Sequence, residues 1–143
     1  MANKTIVDVK QLQERLNKDP NDIEAAQSLG NLYYDKEDAG LAILYYRHAL
    51  DINPDLSGVR TDMGAMYWRN NDLSLAEQAF REVIARDPVF GQAYVNLGLL
   101  LYHAKNNIME ARSVWQRLID IDPDHEAAAK ARELLWETAA LVN

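Results

Sequence analysis

A chain of 143 residues, 48% apolar and 26% charged, has the size and make-up of one globular domain with one core. Its formal charge of −7 excludes the positive field that gathers phosphates, so neither nucleic acid nor an anionic membrane is expected as a partner. It holds no cysteine, which excludes disulfides, thiolate metal sites and thiol catalysis.

The first ten residues, Met1 to Lys10, contain no apolar run of signal-peptide length, and nothing later is long enough to span or insert into a membrane. The chain as given therefore reads as a cytoplasmic polypeptide, with a periplasmic or membrane-tethered parent left open. Over residues 6–18, Val9, Leu12 and Leu16 fall on one face, which predicts an N-terminal helix ending at Asp19-Pro20.

From there the punctuation repeats. The four prolines, Pro20, Pro54, Pro88 and Pro123, are spaced by 34, 34 and 35 residues, and Gly30, Gly64 and Gly98 are also 34 apart. Each proline follows Asp or Asn, and a residue before proline is pushed out of the helical region, so each pair predicts a helix end. Asn21, Asp55 and Asp124 are the expected caps of the helices that follow; Val89 cannot serve that way. Between the stops, apolar residues recur at three- and four-residue steps, as in Leu29, Leu32, Tyr33 and then Ala42, Tyr45, Tyr46, Ala49, Leu50. Short polar segments (35–38, 69–72 and 103–107) split each period into two antiparallel helices. The domain layout is one unit over 1–143: the helix at 6–18, repeats at 23–56, 57–90 and 91–125, and an alanine-rich closing helix at 126–142. That makes an all-α fold of about eight helices.

The mid-helix glycines cost about 1 kcal/mol each against alanine, so close packing must offset them. Ala42, Ala76 and Ala111 on the following helices are the expected facing residues, with Tyr46, Phe80 and Trp115 filling the space beside them.

These residues resemble the tetratricopeptide repeat family. Repeat 1 carries Leu29-Gly30, Tyr33, Ala42, Tyr46, Ala49 and Pro54. Repeat 2 carries Gly64, Tyr67, Ala76, Phe80 and Pro88. Repeat 3 carries Leu97-Gly98, Ala111, Trp115 and Pro123, with Leu101 and Leu118 as departures. The usual Trp early in each first helix is absent; Ala26, Arg60 and Tyr94 stand there. Repeat 3 has one extra residue near Lys105-Asn106-Asn107. The resemblance implies a solenoid of helical hairpins wound into a right-handed superhelix, with the first helices lining a concave groove. The groove candidates it implies are Gln27, Thr61 and Val95; Asn31, Ala65 and Leu99; Tyr34, Trp68 and Tyr102; and Asp35, Arg69 and His103. The first repeat contributes polar residues, the third apolar ones. The implied function is a scaffold that binds a peptide or a segment of a partner protein. The carboxylate clamp of the family's co-chaperones is not expected, because its positions hold Gln27, Asn31, Asp62, Gln92 and Asn96, and Asp62 repels a carboxylate.

No catalytic site and no metal site is legible. His48, His103 and His125 lie in different helical contexts and no pair has ligand spacing, and the isolated glycines form no phosphate-binding loop. No cofactor is expected. Two other readings remain. In one, arrays self-assemble into a homo-oligomer through Trp136, Leu135, Val142 and Tyr45. In the other, the layout is similar to the soluble repeat domains of bacterial cytochrome c maturation factors.

Overall fold

A computed structural model describes the backbone of residues 2–142, with side chains from Val9 onward. Among the described residues there are eight α-helices and no strand: α1 (Ala2–Lys18), α2 (Ile23–Asp35), α3 (Ala39–Ile52), α4 (Ser57–Arg69), α5 (Leu73–Arg86), α6 (Gly91–His103), α7 (Ile108–Ile121) and α8 (Glu126–Glu137). A 3-10 turn at Ala139–Val142 follows. The closing segment is thus a helix and a separate turn rather than one helix to 142, and α1 begins four residues earlier than the apolar pattern marks. No described helix is long and apolar enough to cross a membrane. The chain divides into two compact units, Met1–Asn71 and Asp72–Asn143, so α1–α4 belong to the first and α5–α8 to the second.

The Asp/Asn-Pro pairs act through side chains as well as through proline. Asp19 Oδ1 accepts from the Asn21 N–H, and Asn53 Oδ1 accepts from the Asp55 N–H, both at 3.0 Å. Each closes the turn over the proline. Capping falls one residue later than expected. Asp22 accepts from the Ala25 N–H, and His125 Nδ1 from the Ala127 N–H. Leu56 and Phe90 hold the same place before α4 and α6, where neither side chain can cap. Within the hairpins, Asp38 caps α3 and Asn107 caps α7.

The turns between paired helices each carry a non-glycine residue of positive φ: Glu37 at 62°, Asn71 at 63° and Asn106 at 53°. After α2, the N–H groups of Glu37 and Asp38 bond to the carbonyls of Tyr34 and Tyr33, the paired bonds of a Schellman ending. After α6 the same job takes one more residue. Lys105 N–H bonds to Leu100 O, and Asn107 N–H to Leu101 O. The extra residue of repeat 3 is therefore absorbed in a wider turn.

In the first unit, α2 packs on α3, α1 on α2, and α3 on α4. Its core includes Ala25, Ala26, Leu29, Ala42, Tyr46 and Ala49, all fully or nearly fully buried. The glycine rule takes a sharper form than a glycine facing an alanine. A Cβ on Gly30 would come into clashing distance of the Tyr46 ring, so it is the aromatic ring that lies against the backbone. Tyr33 and Tyr45 stack at 5.7 Å with an interplanar angle of 5°, and Gln13 of α1 donates to the Tyr45 hydroxyl. Tyr45 thus covers its own hairpin, which removes it from the exposed patch.

In the second unit, α6 packs on α5, α7 and α8, and α7 on α8. Trp115 is fully buried; its indole lies where a Gly98 Cβ would stand, and its Nε1 donates to Val95 O at 3.3 Å. Gly91 has a similar reason: a Cβ there would come within 2.6 Å of the capping His125 ring. The end of α8 is closed by Arg112. Its guanidinium donates to Leu135 O and to the hydroxyl of buried Thr138, which itself donates to Leu134 O. A cation at a helix C-terminus also complements the dipole.

Candidate functional site

The predicted site residues fall into two sets, one in each unit. In the first unit, α2 supplies Gln27, Asn31, Tyr34 and Asp35, and α4 supplies Thr61, Trp68 and Arg69. Asn31 and Asp35 are exposed, and Gln27, Tyr34 and Trp68 half-buried. Thr61 departs from the expectation. It is 2% exposed, and its hydroxyl donates back to Ser57 O, so it serves α4 itself. Arg69 is exposed but engaged: its guanidinium pairs with Glu37 at 2.9 Å. Such an exposed pair stabilises by at most about 1 kcal/mol and can be exchanged for a partner's carboxylate.

Asn31 is held from below. The Tyr46 hydroxyl donates to its Oδ1 at 2.7 Å, which leaves the amide N–H groups of Asn31 as the outward donors. Burial pushes the Tyr46 hydroxyl well above the usual tyrosine range, with the negative charge of Asp62 adding to the effect. Tyr34 is raised by the same causes. Asp62 itself is raised above the usual carboxylate range, first by burial and then by repulsion from Asp35. Its carboxylate makes no hydrogen bond or ion pair among the described residues. Asn31 and Asp35 also line a cleft of about 450 Å³, completed by Gln11, Leu12, Arg15, Ser28 and Leu32 from α1 and α2. Arg15 at its edge is bound to Asp22 through two hydrogen bonds.

In the second unit the set is Val95, Leu99, Tyr102 and His103, all on α6. Val95 is 3% exposed and belongs to the core, so like Thr61 it offers a partner almost no area. Leu99 and Tyr102 are half-buried, and His103 is exposed. Tyr102 meets Trp115 edge-on at 6.5 Å and lies 4.5 Å from the His103 ring, so it is anchored by one ring and flanked by another. Gln92 and Asn96 bond to each other at 2.8 Å.

Three residues bear on the candidate faces in ways that sequence reading did not give them. Asp62 stood out only as a mismatch to a clamp; its half-burial beside Asp35 depends on how α4 docks. Tyr46 read as core, which it is, but its hydroxyl reaches Asn31. Trp136 was set apart as a surface residue, although 34, 68, 102 and 136 continue one 34-residue step. It is 84% exposed. The period itself was the signal that could have found it. Among the described residues, no group of three His, Asp or Glu side chains could hold a metal ion.

Hairpins with a glycine under an aromatic, an αL turn and an Asx-Pro stop define a helical-repeat protein. The chain belongs to the tetratricopeptide repeat family, whose pattern matches residues 23–56 and 61–126. It is 26% identical over 116 residues to the general transcriptional corepressor ssn6 of Schizosaccharomyces pombe. That match takes in 80% of this chain but only 10% of the corepressor's length. Among solved structures, MamA superposes with a TM-score of 0.78 at 22% identity, covering 93% of this chain and 77% of that one. The first TPR of Spaghetti (RPAP3), bound to HSP90 peptide SRMEEVD, superposes with a TM-score of 0.68 at 21% identity, covering 82% and 93%. These likenesses are of fold.

Proposed function

We propose that this chain is a protein-interaction scaffold whose first helices present a partner-binding face in each unit, the two faces selecting different chemistry. The first unit takes basic or hydrogen-bonding side chains at Asn31, Tyr34, Asp35 and Asp62. The second takes an apolar anchor at Leu99 and Tyr102. The observation that carries this reading is Asp62, half-buried on α4 within the field of Asp35 and with no cation on it among the described residues. A partner's Lys or Arg would relieve the repulsion, whereas an acidic tail would add to it. The Asn31 amide is positioned to donate to a partner's backbone carbonyl.

Titration with two peptides of equal length tests it: one basic with an apolar end, and SRMEEVD as the acidic counterpart. The basic peptide should bind, and a combined Asp35→Asn and Asp62→Asn variant should weaken it by about tenfold, each contact supplying up to about 1 kcal/mol. Leu99→Ala with Tyr102→Ala should weaken it without unfolding the chain. Equal or tighter binding of SRMEEVD would sink the charge assignment.

A second reading, self-assembly, is favoured by the exposure of Trp136 and of Leu141, 84% and 56%. Light scattering across a concentration series decides it: a monomer throughout removes self-assembly, and a Trp136→Ser variant should dissociate any oligomer seen.

A further inference from the structure

A second cleft lies wholly within the second unit, away from Leu99 and Tyr102. It has a volume of about 200 Å³ and runs between α5 and α7 over residues of α6. Its accessible apolar surface is carried by Ala85 of α5 and Val114 of α7, over a floor of buried Ile84, Tyr94 and Leu97. Two arginines stand at its rim, Arg81 and Arg117, in a chain that is acidic overall.

The two arginines are not equivalent. Arg81 is committed: it donates to Glu77 at 2.8 Å within α5 and to Glu110 of α7. Arg117 has no carboxylate on it among the described residues. Its guanidinium sits 5.7 Å from the centroid of the Tyr94 ring, a cation–π position at the cleft's edge. Tyr94 cannot swing away, because its hydroxyl is tied to Pro88 O at 2.7 Å. The result is a fixed apolar slot with one available positive charge at its mouth.

We infer that this slot is a second docking site, taking an apolar side chain of an acidic peptide segment whose neighbouring carboxylate pairs with Arg117. Charge selects the occupant. A basic segment would meet Arg117 unfavourably, and an uncharged apolar group would leave it unused. Burying the apolar side chain supplies affinity, and the guanidinium supplies orientation through a forked pair. This site prefers the opposite charge from the face on α2 and α4, so its success or failure is independent of that reading.

The test is a nuclear magnetic resonance titration of the 15N-labelled full chain with N-acetyl-leucine, with N-acetyl-leucinamide as the uncharged control and inorganic phosphate as the charge-only control. N-acetyl-leucine should shift the backbone amides of Ile84, Ala85, Val114 and Arg117. The amide should bind about three- to fivefold more weakly, the range an exposed ion pair allows. Arg117→Gln should make the two leucine probes bind alike. No shift at these amides, equal binding of acid and amide to the wild type, or phosphate shifting Ile84 and Val114 as strongly as the leucine probe would each overturn the inference.

Discussion

The two hairpins that lie within single units, α2–α3 and α6–α7, solve the same packing problem with different aromatics, and the difference reaches the surface. Each sets a ring against a mid-helix glycine. In the first, the ring is Tyr46, and its hydroxyl continues outward to Asn31. In the second it is Trp115, whose only polar atom turns inward to Val95 O. One core residue therefore positions a polar surface side chain, while the other seals an apolar helix that carries Leu99 and Tyr102. The same repeat position tunes the face above it through a single hydroxyl.

The largest effect that would break this comparison is removal of the sealed ring. Trp115→Ala should cost about 3–5 kcal/mol by urea denaturation, because a fully buried indole leaves a cavity that the glycine-lined wall cannot fill. A loss below 1 kcal/mol would mean that the indole is not the keystone of its hairpin. Next comes Gly98→Ala, which forces a Cβ into Trp115 and should cost about 1–3 kcal/mol despite the better helix propensity of alanine. Gly30→Ala should cost less, since Tyr46 is the smaller ring. Equal stability of either variant with wild type would show that the ring moves aside freely.

Tyr46→Phe sharpens the comparison. It keeps the ring and removes the bond to Asn31, so a stability loss of about 0.5–1.5 kcal/mol is expected together with weaker partner binding. In Trp115→Phe, any binding change should follow only from stability. Binding by Tyr46→Phe at wild-type strength would sever the link from core to surface.

Acid should separate the units in a further, smaller way. The Lys105 ammonium, bonded at 2.6 Å, and then Arg81 hold Glu77 below the usual carboxylate range. A lowered folded-state value means that the stabilisation is present above the unfolded value and is lost as pH falls through the folded one. Asp62 has the opposite sign. Its raised value is a cost at neutral pH that disappears on protonation. Glu77→Gln should therefore lower Tm at pH 7 and flatten its fall toward pH 3. Asp62→Asn should raise Tm slightly at pH 7 and leave it unchanged at pH 3. The reverse order of signs would contradict both assignments.

The fold was legible because its signals are local. The 34-residue recurrence of glycine and proline, the apolar steps between them and the one-residue excess near Asn106 are all properties of chain order. They determined the helices, their pairing and the repeat family. The site was legible only as a row of positions. Thr61 and Val95 stand at the same repeat position as half-buried Gln27, yet both are buried, because how far a side chain protrudes depends on what docks against its helix.

The sequence alone thus determined the architecture, since periodic burial and backbone punctuation need no knowledge of distant partners. Only the tertiary structure decided that Tyr46 reaches Asn31, that Asp62 feels the charge of Asp35 without a cation among the described residues, and that Arg117 stands over Tyr94 at the rim of a cleft. Each of these is a meeting of residues at least 15 positions apart. Distance along the chain carries no information about such meetings until the helices have packed.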